Sequence, residues 1–349
     1  MNKSYNPLKS ILSRLGPGLI TGASDDDPSG IGTYTQAGAA LGHTTLWTAI
    51  VTLPVMIVVQ HICAKIGMCS GRGLAGALRT FYPRWLLYPV VTGLIVANTI
   101  NAGTDIAAIG AAINMFVPIP IAALVVPIAV TIVVIQIWGS YQFIIKIFKW
   151  LTLTLFAYVI AAFLAHPELK AVLQATFVPQ INFDSQYVTT LVAILGTTIS
   201  PYLFFWQASE EIEEEKSAGK KSIAARKGAS DHEIRAEQWD TVIGMLFCNV
   251  VFYFVILASA STLHPNGHTN IGSAAEAAQA LRPFAGNAAT VLFAIGLIGS
   301  GLLAVPVLTG SSAYAVAETF GWRSGLDEKP QHAKKFYAVI AISTLIGVV

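Results

Sequence analysis

Long apolar runs, separated by short polar segments, set the pattern of this chain. Eight runs are long enough to supply the about 20 apolar residues that a membrane-spanning helix needs. A ninth run, 336–349, stops after 14 residues, so we expect the chain to be truncated inside a ninth helix. The pattern predicts an all-α polytopic membrane protein, with complete apolar runs at 19–42, 47–66, 86–116, 119–138, 143–165, 189–207, 242–263 and 290–315.

Composition favours a membrane protein over a soluble one. Charged residues make up 11% of the chain and hydrophobic residues 54%, whereas soluble globular domains carry about 25% charged residues. A formal net charge of +2 gives no indication of nucleic-acid binding. The cysteines Cys63, Cys69 and Cys248 are an odd number scattered through apolar runs, which does not indicate a disulfide framework. The partner that composition predicts is the lipid bilayer.

The placement of lysine and arginine predicts the orientation, because cytoplasmic loops of membrane proteins carry an excess of these residues. With the N-terminus inside and eight spans threaded, 19 of the 21 lysines and arginines fall on the cytoplasmic side, and only Lys170 and Arg282 fall outside. We therefore expect an integral protein of the plasma (inner) membrane, in which a cytoplasmic segment 1–18 precedes a single transmembrane domain at 19–349.

A strongly charged segment lies at about 210–240, between the sixth and seventh spans. It begins with Glu210 and Glu211 and continues with Lys216 and Lys220. The simplest interpretation is a solvated cytoplasmic loop of mixed charge. The alternative is an accessory vestibule that attracts cations, since a concentration of one charge raises the local concentration of its counter-ion.

The first span contains three adjacent carboxylates, Asp25, Asp26 and Asp27, followed by Pro28. An ionisable group at bilayer depth costs at least ~2.5–3.5 kcal/mol, and the proline prevents an unbroken helix. Where the helix unwinds, backbone carbonyls and one carboxylate can together bind a cation that offsets the desolvation. The three side chains fan across about 200°, so we predict that Asp27, next to the proline, is the ligand. Asp25 and Asp26 would cap the half-helix, pair with other groups or line an ion or proton route.

The sixth span repeats this device in the segment 196–202, where Gly196 and Pro201 bracket small hydroxyl residues. Two segments interrupted by glycine and proline, five spans apart, are the best sequence indication of a transporter built from inverted repeats, which binds its substrate where the broken helices meet. The repeats would run from about 17 to 166 and, incompletely, from about 187 onward. Two ordinary proline kinks are the alternative.

The third span adds a further charge. Asn98, Asn101 and Asp105 recur at helical spacing and share one face. We expect Asp105 and Asn101 to face the interior as part of an ion or proton route; the alternative is a buried aspartate that Asn101 or a neighbouring helix satisfies. For His61, alone in the second span, hydrogen-bonded structure is a simpler interpretation than proton transport.

Three motifs together resemble the NRAMP family of divalent metal ion transporters. Residues 27–30, Asp-Pro-Ser-Gly, preceded by Gly-Pro-Gly at 16–18, resemble that family's first-helix break, which reads Asp-Pro-Gly-Asn. Residues 196–202, Gly-Thr-Thr-Ile-Ser-Pro-Tyr, resemble its sixth-helix motif Gly-Ala-Thr-Ile-Met-Pro-His, and residues 104–107 match its third-helix Thr-Asp-x-Ala. The resemblance implies a LeuT-like inverted-repeat fold with discontinuous helices 1 and 6. It also implies a transporter rather than an enzyme, with a divalent metal ion as cargo and no cofactor.

The resemblance carries specific roles to this chain. Asp27 matches the metal-binding aspartate, and the backbone carbonyls of Ser24 and Thr197 match positions that contribute oxygen ligands. Each of these three positions is expected to line the metal site.

Three positions of the predicted metal site depart from the family. Gly30 replaces a ligating asparagine, Ser200 a ligating methionine, and Tyr202 a histidine linked to proton transport, while Ala108 stands where the family has a glutamate in its proton route. A thioether favours transition metals over hard cations, so serine removes that preference. Glycine widens the site, which suits an ion that retains part of its hydration shell, as magnesium does.

These departures predict a secondary transporter of divalent metal cations, related to the magnesium-transporter-like members of the family. Its selectivity would be shifted toward magnesium or manganese, with weak proton coupling. The alternative is a proton-coupled manganese or iron importer of the usual NRAMP type, in which Asp105 carries the proton. A remote alternative is an intramembrane aspartyl hydrolase that uses Asp27 and Asp105 as a carboxylate pair. An amino-acid symporter is disfavoured, because the acidic cluster would repel a carboxylate substrate.

Overall fold

The computed structural model describes residues 17–139, 141–280 and 282–348, so residues 1–16, most of the predicted cytoplasmic segment, lie outside the described residues. The described chain consists of α-helices joined by short connections and 3-10 turns, and no strand occurs in these ranges. The helices are α1 (Pro17–Asp25), α2 (Pro28–Leu41), α3 (Thr48–Ser70), α4 (Leu74–Phe81), α5 (Arg84–Asn114), α6 (Ile121–Trp138), α7 (Tyr141–Thr152), α8 (Phe156–Leu164), α9 (Leu169–Phe177), α10 (Ser185–Thr198), α11 (Pro201–Ser217), α12 (Ile223–Arg226), α13 (Asp231–Thr262), α14 (Ala274–Ala280), α15 (Arg282–Phe320) and α16 (Lys334–Gly347).

Seven helical segments in the described part of the chain are long and apolar enough to cross a membrane. The first predicted span is not among them because it is split into α1 and α2, of 9 and 14 residues. The prediction of a polytopic helical membrane protein is confirmed by the seven, which are Thr48–Ser70, Arg84–Asn114, Ile121–Trp138, Phe143–Leu164, Ser185–Ser217, Asp231–Asn266 and Thr290–Phe320.

The outer surface of the helix bundle is apolar. Val58, Val96, Val192 and Ile342 each expose more than half of their surface, which a soluble protein would avoid. Lipid chains solvate such side chains, and a helix satisfies its own backbone hydrogen bonds there. The carboxylates of the spans at positions 25–27 and 105 lie instead in the interior.

Two breaks interrupt helices in the middle of the bundle. Between α1 and α2, Asp27 is extended (φ −69°, ψ 160°) and Pro28 is the first residue of α2. Between α10 and α11, Ser200 is extended (φ −80°, ψ 123°) and Pro201 begins α11. The prediction of discontinuous first and sixth helices is confirmed, because proline disfavours a helical conformation at the residue before it and lacks the N–H that a continuing helix needs.

The first helix packs along α13 through backbone contact. A Cβ atom on Gly22 would overlap the backbone of Gly244, and one on Gly244 would overlap that of Gly18. The Gly18 N–H also donates to the Asp240 carboxylate at 2.7 Å. The two glycine pairs allow α1 to approach α13 closely.

The charged segment predicted as a loop at 210–240 is largely helical. α11 continues to Ser217 and α13 begins at Asp231, so the connection between them is 218–230, which contains α12. Glu210, Glu211 and Glu213 are at most 5% exposed, which corrects the expectation of a solvated loop for this part. Strong helix formers and short-range pairs such as Lys216 Nζ to Glu213, 2.8 Å, extend α11.

Candidate functional site

Three buried carboxylates lie at the break of the first helix. Asp25 ends α1, and Asp26 and Asp27 connect it to α2. Each is at most 2% exposed. The Asp27 Oδ1 atom accepts hydrogen bonds from the Gly30 N–H at 2.6 Å and from the Ser29 hydroxyl at 3.0 Å. Asp27 therefore caps α2, and its carboxylate is held at the break.

Asp105, on α5, brings a fourth carboxylate to the same break. It is fully buried, and its Oδ1 accepts a hydrogen bond from the Ser29 N–H at 3.2 Å. The sequence prediction that Asp105 faces the interior is confirmed. Ser29 thus contacts both Asp27 and Asp105. The ion pairs found in the described ranges include none of these four carboxylates.

The second break faces the first. A Cβ atom on Gly30 would lie 2.9 Å from Asp27 Oδ1 and 3.0 Å from Thr197 Oγ1. Gly30, Asp27 and Thr197 therefore surround one point between the two broken helices. Any longer side chain at position 30 would project into this point, so glycine leaves the space between the breaks open.

The two carbonyls predicted as ligands each accept one hydrogen bond. The Tyr202 hydroxyl donates to the Ser24 carbonyl at 2.7 Å, and the Ser200 hydroxyl donates to the Thr197 carbonyl at 2.6 Å. A carbonyl oxygen has two lone pairs, so each retains one for a further ligand. Tyr202 lies beside the first break, where its hydroxyl connects α11 to the end of α1; its place in a metal site stays a prediction.

Two cavities adjoin the breaks. The wide cavity, about 1,100 Å³, extends from the beginning of α10, at Gln186 and Thr189, to Pro28 and Ser29. The narrow cavity, about 520 Å³, is lined by Thr197, Ser200 and Tyr202 among others. Ser29 and Asn101 line both cavities; the role of Asn101 in an ion or proton route stays a prediction. Asn98 lines the narrow cavity as well, and its amide donates to the Leu308 carbonyl and the Ser312 hydroxyl of α15.

A third cavity, the acidic cavity, lies at the other end of the sixth span. Its volume is about 410 Å³. The continuation of α11 and the start of α13 bring its carboxylates together, and His61 of α3 pairs with one of them, Glu237, at 2.6 Å. His61 is therefore hydrogen-bonded, as the simpler of its two interpretations expects, and its role stays a prediction. The charged residues that line this cavity are Glu211, Glu214, Glu215, Lys220, Glu233, Glu237 and Asp240.

One side chain that sequence reasoning missed lies against the aspartates. The Cys248 Sγ atom, on α13, donates to Asp25 Oδ2 at 3.2 Å and to Asp26 Oδ1 at 3.6 Å. Asp25 and Asp26 therefore pair with another group, one of the roles expected for them. The sequence carried no signal for this contact, because Cys248 is more than 200 residues away and is one apolar-looking position of the seventh span.

Comparison with known proteins places these features in a family. Residues 18–349 match the family described as natural resistance-associated macrophage protein-like. The divalent metal cation transporter MntH of Yersinia pestis (strain Pestoides F) is 29% identical over 313 residues, which cover 88% of this chain and 74% of the relative. MntH of Klebsiella pneumoniae is 27% identical over 305 residues, 85% of this chain and 70% of the relative.

Solved structures match the fold. A crystal structure of a mutant of the Eremococcus coleocola manganese transporter superposes with a TM-score of 0.72 at 18% identity, over 100% of this chain and 72% of the other. A complex of that transporter with an aromatic bis-isothiourea compound gives a TM-score of 0.67 at 16% identity, over 99% and 78%. The predicted LeuT-like fold is confirmed. The relatives are transporters rather than enzymes, which leaves the hydrolase interpretation without support.

Proposed function

Because this chain belongs to the natural resistance-associated macrophage protein-like family, we propose that it is a secondary transporter that carries divalent metal cations across the membrane. The observation that carries this proposal is the meeting of the two helix breaks around Asp27, Gly30 and Thr197. A cation is the ligand that makes buried carboxylates without a basic partner favourable in a membrane interior. The metal is cargo here, not a resident cofactor.

The proposed cation site consists of oxygen atoms. The Asp27 carboxylate supplies the charge, and the free lone pairs of the Ser24 and Thr197 carbonyls supply neutral ligands. Ser200 contributes a hydroxyl, and Gly30 leaves room for water that stays on the ion. Since this arrangement contains no thioether, it favours hard cations such as magnesium or manganese.

Proton coupling is proposed to be weak. Tyr202 stands at a position where the resemblance expects a histidine, and its hydroxyl is engaged by the Ser24 carbonyl. Ala108, at the position of an expected glutamate, lines the wide cavity and offers no proton acceptor. One observation favours the alternative of a proton-coupled manganese or iron importer: Asp105 is buried and shares Ser29 with Asp27, so it could accept a proton as the ion binds.

We infer the direction of access from the wide cavity together with the predicted orientation. With the N-terminus in the cytoplasm, as the lysine and arginine placement predicts, the beginning of α10 lies outside and the acidic cavity lies inside. The ion would then reach the breaks from outside, while α1 packed on α13 closes the cytoplasmic side. The protein would act in the plasma (inner) membrane.

Uptake into proteoliposomes tests this proposal. Competition among magnesium, manganese, calcium and cadmium for uptake is measured with the wild type, Asp27→Ala and Ser200→Met. A pH dye inside the vesicles reports proton movement. Asp231→Asn, which removes an exposed carboxylate at the start of α13, is the matched control. We expect uptake that Asp27→Ala abolishes and Asp231→Asn leaves unchanged. Metal-driven acidification close to one proton per ion would contradict weak coupling.

A further inference from the structure

A row of stacked aromatic rings lies at one end of the helix bundle, where α5 begins and α15 ends. The ring centroids of Tyr88 and Phe320 are 6.3 Å apart, and those of Phe320 and Trp322 are 5.1 Å apart, with interplanar angles of 20° and 22°. The Lys335 ammonium, at the start of α16, lies 4.7 Å from the centre of the Trp322 ring. We name these four residues, together with Arg79 of α4, the aromatic–basic patch.

Arg79 belongs to the patch because it lies against the end of α15. Its Nη1 atom donates to the Glu318 carbonyl at 3.2 Å, and a Cβ atom on Gly321 would lie 2.6 Å from the same nitrogen. The guanidinium therefore adjoins the turn that connects Phe320 to Trp322. A guanidinium has five N–H donors, so others can serve a further acceptor.

The two cations of the patch have no carboxylate partner in the described part of the chain. The ion pairs found there include neither Arg79 nor Lys335. The carboxylate of Glu318 is occupied elsewhere, because its two oxygens accept hydrogen bonds from the Gly73 and Gly76 N–H groups, each at 2.9 Å. The patch therefore presents positive charge beside exposed aromatic rings.

The patch lies at the boundary of the membrane. The two spans that carry its rings begin at Arg84 and end at Phe320, so the rings lie where the apolar core gives way to lipid headgroups. Tyr88 and Phe320 expose 43% and 53% of their surface, and tyrosine and tryptophan are enriched at this depth. Acyl chains can cover the rings there, while lysine and arginine side chains reach the headgroups.

We propose that the aromatic–basic patch binds an anionic phospholipid, such as phosphatidylglycerol. The lipid phosphate lies against the Lys335 ammonium and the Arg79 guanidinium, whose planar fork matches phosphate oxygens, and the acyl chains lie on Tyr88 and Phe320. Basic groups between transmembrane helices bind anionic headgroups on the cytoplasmic side of membranes, and the lysine and arginine placement predicts that side for the patch. The inference does not depend on what the protein transports.

The opposite end of the bundle, by the order of the spans, shows why charge is the selective feature. Phe177 and Phe183, near the end of α9, expose 69% and 87% of their surface. The charged residues nearest to them in the chain are one lysine, Lys170, and two carboxylates, Glu168 and Asp184. Exposed rings with that balance of charge suit any lipid, whereas the aromatic–basic patch favours a lipid that carries negative charge.

Lipid titration tests the patch without any transport. Purified protein in detergent receives phosphatidylglycerol or, separately, phosphatidylcholine, and native mass spectrometry gives the fraction of protein that carries bound lipid. The wild type should bind phosphatidylglycerol about tenfold or more tightly than phosphatidylcholine, since two cations contribute. Lys335→Gln and Arg79→Gln should each weaken phosphatidylglycerol binding by about fivefold, the effect of one basic residue near an anionic surface.

Two further variants separate this recognition from general effects. Lys170→Gln, the matched control, removes an exposed lysine at the opposite end of the bundle and should bind phosphatidylglycerol as the wild type does. Lys335→Arg retains the charge and should keep the affinity that Lys335→Gln loses. Equal loss in Lys335→Gln and Lys335→Arg would show that the side chain acts through packing rather than charge, against the proposal.

Three other results would overturn the inference, whether or not the protein transports metal. The first is equal affinity of the wild type for the two lipids. The second is a phosphatidylglycerol affinity that Lys335→Gln/Arg79→Gln leaves unchanged. The third is displacement of the lipid by inorganic phosphate at the same concentration, which would show a site for a free anion instead of a lipid.

Discussion

The two helix breaks differ in charge and in restraint. The first carries Asp25, Asp26 and Asp27, all buried, and both of its half-helices pack on α13. The second carries hydroxyl groups and no carboxylate, and a Cβ atom on Gly196 would meet no atom within 4 Å. In the proposed function, this difference would divide the work: the first break would supply the fixed charge that attracts a cation, and the second would supply the neutral oxygens that set which cation is preferred.

Removal of the charge at the first break should have the largest effect. Asp27→Asn keeps the shape of the side chain but removes the partner of a buried cation, which typically costs about 2–5 kcal/mol. Initial rates of manganese or magnesium uptake below saturation should fall by roughly 30-fold or more. The exposed control Asp231→Asn should transport normally. A similar loss in both variants would indicate a general effect of charge.

The close packing of α1 on α13 should have the next largest effect. Gly22→Ala places a Cβ atom against the Gly244 backbone, and overpacking of this kind costs about 1–3 kcal/mol. Thermal unfolding in detergent should show a lower melting temperature. Gly93→Ala, in a helix position with no atom near the added carbon, is the control and should unfold at the wild-type temperature or above. Equal melting temperatures for the two variants would refute close packing of α1 on α13.

At the second break, Ser200→Met should change preference rather than abolish transport. The thioether adds a soft ligand, so competition by cadmium against magnesium should strengthen by about tenfold, or ~1.4 kcal/mol. This competition is measured in the Cys248→Ser background, which removes the thiol that contacts Asp25 and Asp26. Unchanged cadmium preference would contradict the role of this break in selectivity.

The hydrogen bond between the breaks should contribute less. Tyr202→Phe removes the donor to the Ser24 carbonyl, worth about 0.5–1.5 kcal/mol, and should raise the KM for manganese by about two- to tenfold. Tyr253→Phe, which loses a hydrogen bond to Thr176 away from the breaks, should leave KM unchanged. If both variants behave alike, the Tyr202 contact does not connect the two breaks.

The smallest effect concerns His43, which follows α2 and whose ring Nε2 lies 3.2 Å from the Ser261 hydroxyl of α13. Burial, followed by the nearby His264, lowers its pKa below the usual 6.5, against an opposing effect of Glu168. The unfolded chain therefore binds the proton more readily, so His43 destabilises the fold as the pH falls below about 6.5. Between pH 7.5 and 5.5 the melting temperature of His43→Gln should fall by less than that of the wild type. The corresponding difference in the free energy of unfolding is about 1 kcal/mol or less. An identical pH dependence would contradict the burial of His43 as the cause of its lowered pKa.

The sequence predicted those features that short-range chemistry determines. Because proline lacks an N–H, the positions of both breaks could be predicted from Pro28 and Pro201. The positions of the spans could be predicted from the lengths of the apolar runs. The i, i+7 spacing of Asn98 and Asp105 placed Asp105 in the interior. Asp27, adjacent to Pro28, is the N-cap of α2, a position that the proline makes predictable; its choice as the metal ligand stays a prediction.

Features that depend on packing between distant helices were not predictable. Cys248 meets Asp25 across more than 200 residues, and no spacing encodes that contact. The burial of Glu211 and Glu213 follows from the continuation of α11 beyond the membrane-length apolar run, where composition alone favoured a loop. The acidic cavity arises because α11 and α13 converge. From the sequence, a vestibule in this segment was only the alternative to a solvated loop.

The location of the bound ion tests the central claim most directly. Crystals of the protein soaked in manganese chloride, measured at a wavelength where manganese scatters anomalously, should give a peak between the two breaks, within coordination distance of the Asp27 carboxylate and the Thr197 carbonyl. The same experiment on Asp27→Asn should give no peak there. A peak that persists in Asp27→Asn, or one that occurs only in the acidic cavity of the wild type, would contradict the account.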